Sequence, residues 1–156
     1  MDTAAPSQNA PPAREPIPAQ ALMLGWAGVI PFAGLSAALL LAQDPLRDVA
    51  LRGLPGYAAI ILAFMGGVQW GLEMARGVPP ANWRSGYAVS VLPALLAAAA
   101  LLLEPRDALL LLAAGFAALL AYDLKRAKAG VGPNWYPRLR VALTCAVLTS
   151  LTVAVL

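Results

Sequence analysis

Five stretches of this chain, about residues 20–42, 56–75, 86–103, 106–124 and 138–156, are almost uniformly apolar. Each comes close to the ~20 residues that a membrane-crossing helix needs. Composition points the same way. Charged residues make up 12% of the chain and its mean hydropathy is +0.71, whereas a soluble domain is about 25% charged. So few charges cannot coat a water-facing surface. The expected fold class is all-α: a polytopic membrane helix bundle of about five transmembrane helices, preceded by a disordered Pro/Ala-rich tail over residues 1–19.

Turn residues set the connections. Leu103-Glu104-Pro105-Arg106 makes spans three and four antiparallel neighbours, with Glu104 placed to cap the fourth helix and Pro105 at its first position. Asp44-Pro45 starts a short segment after span one, and Gly53 and Pro55 are expected to break the chain before span two. Gly130, Gly132 and Pro133 end the fourth helix. With five spans, the tail, the loop between spans two and three and the loop between spans four and five share one side. That side holds Arg14, Arg76, Arg84, Lys125, Arg126, Lys128, Arg138 and Arg140; the other holds Arg47, Arg52 and Arg106. The positive-inside rule puts the N-terminus in the cytoplasm and the C-terminus outside, as expected of a bacterial inner-membrane protein. Trp26, Trp70, Trp83, Trp135, Tyr87, Tyr122 and Tyr136 gather on that side, with Tyr57 at the opposite one. This asymmetry reads either as an interfacial belt or as a contact surface.

The second span is the most unusual. In Met65-Gly66-Gly67-Val68-Gln69-Trp70-Gly71-Leu72-Glu73, glycines, an amide and a carboxylate interrupt an apolar helix, and polar groups are costly in hydrocarbon. Ala59, Ala63, Gly67, Gly71 and Ala75 are each four apart and form a small-residue stripe suited to close helix packing. Gln69 and Glu73 lie on roughly the opposite face with Gly66 beside them, and Arg76 is within reach of Glu73. Span two is therefore the expected central helix, and the leucine-rich fourth span, Ala108 to Leu120, the more lipid-facing one. Topology puts Asp123 near the depth of Glu73. The candidate polar cluster is Gln69, Glu73, Asp123, Arg138 and Arg140. The alternative leaves both carboxylates at the interface, with Asp123 paired to Arg126.

Pro31 and Pro93 should kink spans one and three, each freeing a backbone carbonyl. Gly25-Trp26 precedes the first and Gly86-Tyr87 the second, and acidic, proline-containing turns follow both. Spans 1–2 and 3–4 thus read as a weak parallel repeat, with chance similarity among apolar helices as the alternative. The chain has no histidine. That removes His-ligated zinc, bis-His haem and His-based triads, so no metal or cofactor and no catalytic residues are assigned. The lone Cys145 cannot form an internal disulfide. The basic residues flank spans and form no stripe, which argues against nucleic acid despite a net charge of +3.

Gly25-Trp26-Ala27-Gly28-Val29-Ile30-Pro31-Phe32, the run Tyr57 to Gly71, Leu92-Pro93 and Trp135-Tyr136-x-Arg138-Leu139-Arg140 together resemble the domain-of-unknown-function 3429 family. The resemblance implies a small multi-pass membrane protein, mostly proteobacterial, with a mitochondrial relative in animals and no established activity. The family usually carries histidine where this chain has Gln69, which implies a hydrogen-bonding or packing duty there, or a lost one, rather than metal ligation. The expected partners are the lipid bilayer and other membrane proteins or a second copy. The leading functional reading is an accessory, assembly or scaffold component working through helix–helix contacts. The alternative is a small transporter or intramembrane ligand-binding protein using the polar cluster.

Overall fold

The computed structural model describes residues 15–77 and 86–156. Arg14, Trp83, Arg84 and most of the expected tail lie outside the described residues. Five helices follow in order: α1 (Ala19–Leu41), α2 (Leu46–Arg76), α3 (Gly86–Ala100), α4 (Pro105–Lys128) and α5 (Tyr136–Val155). No strand occurs among the described residues. α1, α2, α4 and α5 are long and apolar enough to cross a bilayer, and α3 is a shorter apolar helix. Turns closed by Leu102 and Leu103 N–H on the carbonyls of Ala99 and Ala100, both at 3.1 Å, carry α3 on to the 101–104 connection.

The helices form a ring in chain order. α1 packs on α2, α2 on α3, α3 on α4, α4 on α5 and α5 back on α1, while α2 also reaches α4 across the middle. α2 and α5 never pack backbone to backbone. A gap lies between them.

α2 differs from its expected form. It runs unbroken for 31 residues through Gly53 and Pro55. A proline inside a membrane helix is tolerated where neighbouring helices enclose the backbone groups it disturbs, and Pro55 is buried against the α3–α4 corner. α1 and α3 likewise continue through Pro31 and Pro93. Glu104 stands at the N-cap of α4 with Pro105 behind it, but its carboxylate makes no capping bond; its main-chain carbonyl accepts from Ala108 N–H at 2.9 Å. α4 ends in a Schellman closure. Val131 N–H bonds the Arg126 carbonyl and Gly130 N–H the Ala127 carbonyl, both at 3.0 Å, with Gly130 at φ 76°.

The expectation that α4 faces lipid more than α2 is also corrected. The two are buried to the same extent, and α1 is the most exposed of the long helices. Gly115 explains this. A Cβ there would stand 2.8 Å from a Leu62 methyl and 2.9 Å from a Leu96 methyl, so its absence lets α2 and α3 close onto α4. Leu109, Leu112, Phe116 and Leu119 then supply the core from α4. Phe32 is fully buried at the centre, edge-on to Tyr57 at 5.0 Å and to Phe116 at 6.1 Å, tying α1 to α2 and α4. Tyr57 Oη donates to the Gly28 carbonyl and Ser36 Oγ to the Ser150 carbonyl, both at 2.9 Å. Such bonds stitch helices together where apolar packing gains nothing over lipid.

Candidate functional site

Polar side chains from α2, α4 and α5 meet at one end of the bundle, where α2 and α4 finish and α5 begins. α2 and α4 run parallel there, so residues four apart on α2 meet residues three apart on α4. Two tiers result. In the inner tier Gln69 Nε2 donates to Asp123 Oδ1, and Arg140 Nε donates to Asp123 Oδ2 at 2.6 Å. Arg140 Nη1 also reaches the Met65 sulfur at 2.8 Å. In the outer tier Arg126 Nη1 pairs with Glu73 Oε1, and Arg76 Nη1 lies 3.4 Å from Glu73 Oε2. Tyr122, one turn before Arg126, accepts from Arg126 Nη1 at 3.2 Å and places its ring 5.6 Å from that guanidinium.

Asp123 therefore sits level with Gln69, one turn deeper than the depth of Glu73 expected for it, and Arg126 takes the place opposite Glu73. Arg126 belongs to the network but was not among the candidate residues. The signal was available: three residues separate Asp123 from Arg126, against four between Gln69 and Glu73. Arg138 does not join. It is exposed and donates to the main-chain carbonyl of Glu15 just before α1. The two residues α5 carries at this level lie on different faces, and only Arg140 turns inward. The alternative pairing of Asp123 with Arg126 is replaced by Asp123 with Arg140 and Glu73 with Arg126.

Gln69, Glu73, Asp123, Arg126 and Arg140 are all buried. Buried charges persist only when paired. Here two carboxylates face two guanidinium groups, so the buried set is neutral, and removing one member would strand its partner. Gly86 at the start of α3 makes the closure possible, since a Cβ there would collide with Glu73 Oε1 and Arg126 Nη1. Not every group is satisfied. Gln69 Oε1, Arg126 Nε and Nη2, Tyr136 Oη, Arg140 Nη2 and Thr144 Oγ1 are buried without a partner among the described residues. Among the described residues no three His, Cys, Asp or Glu side chains converge as metal ligands would.

The small-residue stripe divides. Ala59 is buried and Ala63 half-buried, whereas Gly67, Gly71 and Ala75 are exposed. A Cβ on Gly67 or Gly71 would meet nothing within 4 Å. The glycine that α2 uses for close approach within the chain is Gly66. A Cβ there would stand 2.6 Å from the Ser90 carbonyl and 3.2 Å from the Pro93 ring, so Pro93 is seated against a bare patch of α2. Exposed Trp70 meets Tyr87 edge-on at 5.0 Å, and Trp26 is exposed on α1.

Residues 17–156 match the family model DUF3429, described as a protein of unknown function. Similar relatives include Transmembrane protein 69 of Xenopus tropicalis, 35% identical over 136 residues, covering 86% of this chain and 53% of the relative. Transmembrane protein 69 of Mus musculus is 28% identical over 141 residues, covering 89% of this chain and 56% of the relative. The chain thus spans about half the length of the curated relatives it matches. No solved structure matches.

Proposed function

The chain belongs to the DUF3429 family of membrane proteins of unknown function, and on that premise we propose that it is an accessory or scaffold component that binds another membrane helix. The observation carrying this reading is the bare outer face of α2. Gly67 and Gly71 lie open between exposed Phe64, Trp70 and Met74, with none of the five described helices over them. Hydrocarbon does not drive helices together, so a glycine notch is an asset for close packing with a partner. The neutral network behind this face fixes the rotation of α2 and so keeps the notch turned outward. The membrane is the bacterial inner membrane, with the network end in the cytoplasm, as the eight basic residues assigned to that side favour. A reporter fused after Leu156 and active only in the cytoplasm would reverse this orientation.

The test of the helix-binding reading is site-directed crosslinking in native membranes. With Cys145 replaced by alanine, single cysteines are placed at Gly67, Gly71 and, as an exposed control on α1, Ile30. Crosslinks to a discrete species should concentrate at the two α2 positions. Equal labelling of all three, or none, counts against the reading. The alternative, a small ligand-binding or transport protein, is favoured by the unpartnered donors at the network's edge. Loss of uptake or binding in Glu73→Gln, with crosslinking at Gly67 retained, would move the conclusion there.

A further inference from the structure

The gap between α2 and α5 holds a cavity of about 130 Å³. α1 floors it with Gly25, Gly28 and Val29, Phe32 and Phe116 close its deep end, and exposed Leu24 and Phe64 flank it. Its wall is apolar except for Arg140 and Thr144, one turn apart on α5. Arg140 is 5% exposed and Thr144 2%, yet Arg140 Nη2 and Thr144 Oγ1 have no partner. Thr144 is singular on its helix. Thr149, Ser150 and Thr152 each bond the carbonyl four residues back, at 2.9, 3.0 and 2.8 Å. Thr144 does not, so its proton remains free. A buried donor left unpaired is destabilising, and two such donors on one cavity wall call for an acceptor.

We propose that this cavity is a lateral binding site for one acyl chain of a membrane phospholipid, with the ester carbonyl accepting from Arg140 Nη2 and Thr144 Oγ1. Three features select this ligand. The cavity is close in size to an engineered ~150 Å³ apolar cavity that holds benzene, so it admits a short stretch of chain and leaves the rest among the lipids. Arg140 lies about 6 Å along α5 from its first residue, at 1.5 Å per residue, near where ester groups lie, and the cavity runs from there toward Val147 in the hydrocarbon. Arg140 is already neutralised by Asp123 at 2.6 Å. A neutral carbonyl fits, whereas a carboxylate or phosphate would add an uncompensated buried charge. This site does not rest on the helix-binding reading: Phe64 borders both, but the donors that recognise the ligand are on α5 and Gly67 and Gly71 take no part in the cavity.

The experiment is native mass spectrometry of the full chain in detergent, offered phosphatidylglycerol with ester-linked or ether-linked chains of equal length. The ether lipid lacks the carbonyl. The expected result is a one-to-one adduct that favours the ester lipid by roughly five-fold, the worth of about one neutral hydrogen bond. Thr144→Val should bring that ratio toward one with melting temperature held or raised, because it removes an unpaired buried hydroxyl. Gly28→Leu, facing only Tyr57 Oη at 4.0 Å, should fill the cavity and abolish the adduct of both lipids. Should Gly28→Leu not fold, the Thr144→Val ratio decides alone. No adduct, equal retention of ester and ether lipid, an unchanged ratio in Thr144→Val, or displacement by equimolar palmitate would each overturn the proposal.

Discussion

Gly66 and Gly67 are neighbours in the chain and opposites in surroundings. Gly66 is pressed against α3, where even a methyl group would strike the Ser90 carbonyl; Gly67, about 100° further round the helix, faces nothing. The same split runs along α2. Gln69 and Glu73 are buried with Gly66 against α3 and α4, while Gly71 and Trp70 are exposed with Gly67. Two residues of one type, adjacent in sequence, can thus serve unrelated ends. One lets the fold close, and the other leaves a surface open.

The strongest way to break this division is to unlock the inner face. Arg140→Ala strands Asp123 in the bundle and should cost about 3–5 kcal/mol of stability, read as a lowered midpoint of unfolding in detergent. The double variant Asp123→Leu, Arg140→Met should lose much less than the two single changes together, because no lone charge remains. Next comes overpacking. Gly66→Leu must push α3 away and should cost about 1–3 kcal/mol, with the Trp70–Tyr87 contact perturbed in tryptophan fluorescence. The smallest effect belongs to Gly67→Leu, which should stay within about 0.5 kcal/mol of the parent in the same assay. Its consequence should appear instead as loss of crosslinking at Gly71. If Gly66 and Gly67 variants were equally destabilised, the two faces would not be distinct.

Much of this was legible in the sequence. Apolar runs and turn residues locate five helices, and the four-residue steps on α2 separate a polar face from a small-residue face. What stayed hidden was rotation. α1 and α4 are apolar almost all round, so no stripe says which side meets the core, and α4 proved as buried as α2. The break anticipated at Gly53 and Pro55 failed because neighbouring helices enclose that backbone. Depth read from helix ends is a turn too coarse to choose between Asp123 and Arg126 as the residue opposite Glu73. Arg138 and Arg140 are equally basic and two apart, and only the docking of α5 decides which turns inward. Thr144 carries no signal beyond being a threonine. Its meaning comes from a cavity that exists because the backbones of α2 and α5 stay apart.

The separation of the network's members along the chain also matters during synthesis. Gln69 and Asp123 are 54 residues apart. At about 5–20 residues per second, translation takes about 3–11 s to supply the α4 half after the α2 half has been made. Glu73 is synthesised before Arg126. Its first counter-ion is Arg76, three residues on in the same helix. The weak, half-exposed outer pair is thus the first one translation makes available, and the buried pairs must form later, once α4 and α5 arrive.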